Sequence, residues 1–339
     1  MQRLIQQLVF GVGMAVAAGG VQARDQAQDH YVGACDASAA VAIGQGHFVV
    51  GDDENDVLRV YRRASAEPVA EVDLTDYLRN RKPGGKPTEA DIEGAATIGE
   101  RIYWISSHAR KGKDGEVDRY RQRLFATDIV RGAGVPTLRP VAAAPHETLL
   151  DELVADARFK VLADAARLKP EVEGGLNIEG LAATPEGALL VGLRNPLPQG
   201  RALVVPLRNP REVIDAGARP VFGELIWLDL GGRGIRSLER VGNAYLIVAG
   251  PYGEASASPV RPSFALFRWS GSAGQVPVLV PGLDAGSFRP EALFLDPDAG
   301  DLYLLSDDGD EQVGQRACKD KQVKPAKKSF RAMALPLPR

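Results

Sequence analysis

Asp91-Ile92-Glu93-Gly94-Ala95-Ala96 recurs along this chain as Asn177-Ile178-Glu179-Gly180-Leu181-Ala182 and as Arg289-Pro290-Glu291-Ala292-Leu293-Phe294. A polar turn and then an apolar run follow each copy: Ile102-Tyr103-Trp104-Ile105, Leu189-Leu190-Val191 and Leu302-Tyr303-Leu304-Leu305. Each run gives way to a polar or charged cluster: Ser106-Ser107-His108, Arg194-Asn195 and Asp307-Asp308. Short apolar runs bounded by turn residues have the length of strands, not helices. A carboxylate at one fixed point of a repeated strand pair therefore speaks to the fold and marks where a site would lie.

Two further units fit the same frame. One holds Cys35-Asp36-Ala37-Ser38, then His47-Phe48-Val49-Val50 and Asp52-Asp53-Glu54. The other holds Gly234-Ile235-Arg236-Ser237-Leu238, then Tyr245-Leu246-Ile247-Val248. With Ser38, Glu93, Glu179, Ser237 and Glu291 taken as equivalent, the intervals are nearly regular except the one from Glu93 to Glu179. That interval carries an insertion over residues 146–169, with Leu149-Leu150, Leu153-Val154 and Val161-Leu162 at helical spacing. A third apolar run closes each unit, and residues 68–72, 138–141, 225–228 and 276–280 supply a fourth in most gaps. About four strands per unit, repeated radially, predict an all-β protein, a β-propeller of five blades. Residues 221–230 read as two strands and leave room for a sixth blade. A pair of β-sandwiches would not explain the regular spacing.

Composition agrees. The 37 Gly and 23 Pro sit in short clusters that punctuate strands. A net charge of −3 and the lack of base-stacking aromatics beside the basic stretches argue against nucleic acid as a partner. Residues 1–23 read as a signal peptide: Met1-Gln2-Arg3, an apolar run, then Val21-Gln22-Ala23 before a cut at Arg24. No other stretch is long and apolar enough to span a bilayer. The expectation is a periplasmic or secreted protein with one domain over residues 24–339 and no stable membrane insertion after cleavage. In that oxidising compartment two cysteines, Cys35 and Cys318, predict one disulfide joining the ends of the domain. For so long a loop the entropic model gives at most about 5 kcal/mol.

The words around Glu93, Tyr103-Trp104-Ile105-Ser106-Ser107-His108, Arg123-Leu124-Phe125-Ala126-Thr127-Asp128, Asn177-Ile178-Glu179-Gly180-Leu181 and Pro290-Glu291-Ala292-Leu293 together resemble a bacterial family, domain of unknown function 3616. The resemblance covers nearly the whole mature chain. More distantly, Glu-Gly at the start of inner strands is similar to the phytase-like and gluconolactonase-like propellers. That likeness implies a divalent metal held in the central channel by carboxylates, here Glu93, Glu179 and Glu291. Ser38 and Ser237 stand at the other two positions.

Equivalent inner-strand positions converge on a propeller's axis. Three carboxylates brought together there must bind a cation, pair with Arg or Lys, or take up protons. Ca²⁺ or Mg²⁺ suits an all-oxygen set; the alternative is that each Glu ties neighbouring blades together. Among the rim clusters, His108 is the candidate general base and Arg194 the candidate anion-orienting group. Asp307-Asp308-Gly309-Asp310 reads as an Asx-type turn. No nucleophile elbow surrounds Ser106 or Ser107, and no zinc motif occurs. The basic stretches at residues 110–123 and 319–328 are either solvated loops or, on a shared face, a lure for an anion. The expected function is binding of a small anionic ligand or a protein partner. The alternative is a divalent-metal-assisted hydrolase of the phosphoesterase or lactonase type.

Overall fold

The computed structural model describes residues 28–132, 134–253 and 263–338; the signal-peptide reading of residues 1–23 lies outside them. Five four-stranded antiparallel sheets form the blades. The first runs Ala39–Gly44, His47–Asp52, Asn55–Arg62 and Pro68–Asp73 from the inside outward. The second runs Ile92–Ile98, Arg101–Ser106, Leu124–Val130 and Thr137–Pro140. The third is Asn177–Ala183, Leu189–Asn195, Ala202–Leu207 and Ile226–Leu228. The fourth is Gly234–Val241, Ala244–Gly250, Ala265–Trp269 and Val278–Val280. The fifth is Pro290–Asp296, Asp301–Ser306 and Ser329–Pro336, and its outermost strand is Gln28–Val32 from the opposite end of the chain. Residues 207–232 hold the helix Pro210–Ala216 and the third blade's outer strand, so they contribute no sixth blade.

Burial explains the two sequence patterns. Inner strands touch neighbouring blades on both faces, and Asn177–Ala183 and Ala244–Gly250 are buried at every position. The outer strand Pro68–Asp73 alternates, as a half-solvated strand should. Tight turns join the inner pairs. Gly99 and Gly242 open two-residue turns with φ of 64° and 60°, which glycine adopts without steric cost.

The core is divided among the five blade interfaces. One apolar cluster fills each, and the second–third interface is enlarged by the predicted insertion. Its helices Leu149–Ala155 and Lys160–Ala165 press Leu149, Leu153 and Leu162 between those blades.

Ring closure rests on two devices. Gln28–Val32 pairs with Ser329–Pro336, placing Tyr31 opposite Phe330. Tyr31, Phe48, Tyr61, Phe294 and Phe330 pack ring on ring across the seam between the fifth and first blades, with centroids 5.0–5.6 Å apart in contacting pairs. His30 lies within this closing strand. The second device is the predicted Cys35–Cys318 disulfide, with Cα atoms 5.8 Å apart. It joins the link into the first blade to the long loop of the fifth. Among the described residues no helix is long and apolar enough to cross a membrane.

Candidate functional site

In four blades the innermost strand carries a bulge near its start. The register skips Glu93 between Ile92 and Gly94, Glu179 between Ile178 and Gly180, and Glu291 between Pro290 and Ala292. In the fourth blade it skips Arg236, between Ile235 and Ser237. A bulge leaves one residue outside the ladder and re-aims its side chain. That corrects the sequence alignment by one residue: the fourth position is Arg236, not Ser237. The hydroxyl of Ser237 instead accepts a hydrogen bond from the Leu293 N–H at 3.1 Å, tying the fourth blade to the fifth. Ile235 before Arg236 matches Ile92 before Glu93 and Ile178 before Glu179, which is the signal that locates it in the sequence.

The three glutamates do converge, with one oxygen of each within 4.8 Å of the others. Arg236 divides them. Its Nε lies 3.2 Å from Glu179 Oε2, and its Nη2 bonds Glu291 Oε1. Arg194 Nη1 donates to Glu179 Oε1 at 2.8 Å, and Asn177 Nδ2 donates to the same oxygen at 2.8 Å. Glu179 is thus held between two guanidiniums. Glu93 forms no ion pair among the described residues, and its buried Oε2 has no hydrogen-bond partner there.

Loop carboxylates enlarge the cluster. Asp53 and Asp91 gather with Glu93, and Asp36 and Asp307 gather with Glu291, each set within 4.8 Å. Asp91 holds φ of 61° and accepts hydrogen bonds from the Ser107 hydroxyl and, at 3.1 Å, Arg121 Nη1. Asp307 Oδ1 accepts the Gly309 N–H at 3.0 Å, the expected Asx turn, and lies 3.5 Å from Arg289 Nη2. Burial, reinforced by the surrounding carboxylates, pushes Asp36, Asp53 and Glu93 well above the usual carboxyl range. Burial also raises Glu291, to about 7, against the opposing pull of Arg236.

Asp36, Asp53, Asp91, Glu93, Glu291 and Asp307 line a cavity of about 450 Å³, and Glu179 lies outside its lining. Nine acidic and five basic side chains face it, so it is a polar, mixed-charge chamber with an acidic excess. Arg121 and Lys319, from the two basic loops, share its lining. Arg194 lines it as well; His108 does not. The His108 backbone has φ of 55°, its ring is buried, and Nδ1 lies 2.8 Å from the Ser106 carbonyl. Burial pushes that imidazole down to about 4. The structure therefore brings Arg194 and the glutamates together and sets His108 apart from them.

A closed ring of five blades with a charged axial chamber defines a five-bladed β-propeller with a channel-centred polar site. Residues 36–127 and 138–277 match the family described as protein of unknown function DUF3616, and the chain belongs to that family. No curated protein matches the chain. Among solved structures it is similar to glutaminyl cyclase from Myxococcus xanthus, with 15% identity over 81% of this chain and 88% of that one and a TM-score of 0.42. It is also similar to the PQQ-bound form of aldose sugar dehydrogenase from Streptomyces coelicolor, with 10% identity over 91% and 99% of the two chains and a TM-score of 0.38.

Proposed function

We propose that this propeller binds a small anionic ligand beside a divalent cation, Ca²⁺ or Mg²⁺, held at Glu93. The carrying observation is Glu93 itself: a buried carboxylate with an unpartnered oxygen, common to two groups of converging carboxylates. Glu179 and Glu291 adjoin that cation on one side and Asp53 and Asp91 on the other. An oxygen-only donor set suits a hard cation, and Arg194 with Arg289 supplies the charge to hold an anion next to it. A bound cation would polarise an oxygen of the ligand. Export to an oxidising compartment fits the Cys35–Cys318 disulfide.

The test is metal content after dialysis against Ca²⁺. Wild-type protein should retain the ion, and Glu93→Gln should weaken retention by about 100-fold, since removing one partner of a buried charge pair costs 2–5 kcal/mol. Equal retention by both proteins counts against the proposal.

A second reading, a metal-assisted hydrolase of the phosphoesterase or lactonase type, is favoured by Asp53 and Glu93, two chamber carboxyls that burial and neighbouring carboxylates push well above the usual range. In it Arg194 orients the anion, and one of these carboxyls moves the proton in place of His108. Turnover of phosphate esters or lactones by Ca²⁺- or Mg²⁺-loaded protein separates catalysis from binding.

A further inference from the structure

We infer that the chamber holds a second divalent cation, at Asp36, Glu291 and Asp307, on the opposite side of Arg236 from Glu179. The inference rests on the cation-binding reading above and extends it.

Geometry is the first support. One oxygen from each of Asp36, Glu291 and Asp307 falls within 4.8 Å of the other two, and none of these residues belongs to the Asp53–Asp91–Glu93 group. The second support is an orphaned atom. Glu291 is 5% exposed; Arg236 takes Oε1, while Oε2 is buried with no hydrogen-bond partner among the described residues. A buried carboxylate oxygen without a donor is costly, and a cation satisfies it where no N–H does.

Charge is the third. The converging groups contain seven carboxylates: Asp36, Asp53, Asp91, Glu93, Glu179, Glu291 and Asp307. Four guanidiniums pair with them, Arg121 with Asp91, Arg194 with Glu179, Arg236 with Glu179 and Glu291, and Arg289 with Asp307. With every group ionised, three negative charges are left over here, and the chamber lining of nine acidic and five basic side chains leaves four, the charge of two divalent cations. Arg236 keeps its own place, because Glu179 and Glu291 already bind it.

The test counts Ca²⁺ ions bound per chain, by calorimetric titration of chelator-stripped mature protein with Ca²⁺ alone. Two ions are expected. Asp36→Asn and Asp307→Asn should each lower the count to one, and Glu93→Gln should lower it to one by removing the other site. Asp307 is part-exposed, so its variant serves if Asp36→Asn fails to fold. One ion in wild type, lost with Glu93→Gln and kept with Asp307→Asn, overturns the second site and leaves the first standing. No ion in wild type overturns both.

Discussion

Replacing Arg236 by Met is expected to lower the unfolding free energy by about 3–5 kcal/mol at pH 8, the usual loss when one partner of a buried ion pair is removed. Arg236 is 4% exposed and is the cation shared by Glu179 and Glu291. Met fills a similar volume, so lost packing is the smaller effect. The larger one is that Glu291 loses its counter-charge and Glu179 keeps only Arg194. Glu291 can relieve this by taking up a proton, so the loss should shrink as the pH is lowered toward 5. Arg236→Lys keeps the charge but lacks the planar fork that reaches both carboxylates, and should lose less than Met but more than a surface substitution. Urea unfolding at the two pH values measures this. A loss under about 1 kcal/mol at pH 8 would mean that the ring position is not the electrostatic centre of the channel.

Tyr31→Ala should be about as severe, at about 3–5 kcal/mol, the range for truncating a buried aromatic. Tyr31 is 1% exposed and touches Phe48, Tyr61 and Phe330 at the closing seam. The ring has five interfaces, and this one alone joins the two ends of the chain. Two observations keep the loss from becoming complete unfolding: the disulfide still joins the ends, and the backbone pairing of Gln28–Val32 does not need the side chain. Thermal unfolding with and without reductant separates the contributions. The substitution and reduction together should exceed either alone. A wild-type melting temperature for Tyr31→Ala would show that the seam does not depend on this ring.

Much of the fold is legible in the sequence because each blade repeats the same solution to burial. Continuous apolar runs mark the inner strands, and the words around Glu93, Glu179 and Glu291 mark where three of the five units begin. The closing strand is not legible. Gln28-Asp29-His30 is exposed, the strand is short, and its partner Ser329–Pro336 lies at the other end of the chain. The site is half legible. Glu93, Glu179, Glu291 and Arg194 are found from their repeat positions. Arg236 is hidden by the bulge, which shifts the side chain by one residue against a plain strand alignment. His108 follows the same strand end that yields Arg194 in the next blade. A left-handed backbone turn buries it, and no residue pattern announces such a turn at a histidine.

The central claim, that the axial carboxylates are built around a divalent cation, is tested most directly by stability against pH with and without Ca²⁺. A carboxyl whose pKa is raised on folding binds its proton more tightly folded than unfolded. Its contribution is present at low pH and is lost as pH rises through the folded value. For Glu291 that loss runs from about 4.5 to about 7, and Asp36, Asp53 and Glu93 act in the same direction. His108, depressed from 6.5 to about 4, acts oppositely but only below about pH 6.5. Above about pH 6.5 His108 adds nothing further, and chelator-stripped protein should go on losing unfolding free energy as pH rises through the Glu291 value of about 7. At pH 8, Ca²⁺ at 100 times its dissociation constant should restore about 2.7 kcal/mol for each site it fills. No gain in unfolding free energy from Ca²⁺ or Mg²⁺ at pH 8 would contradict the account.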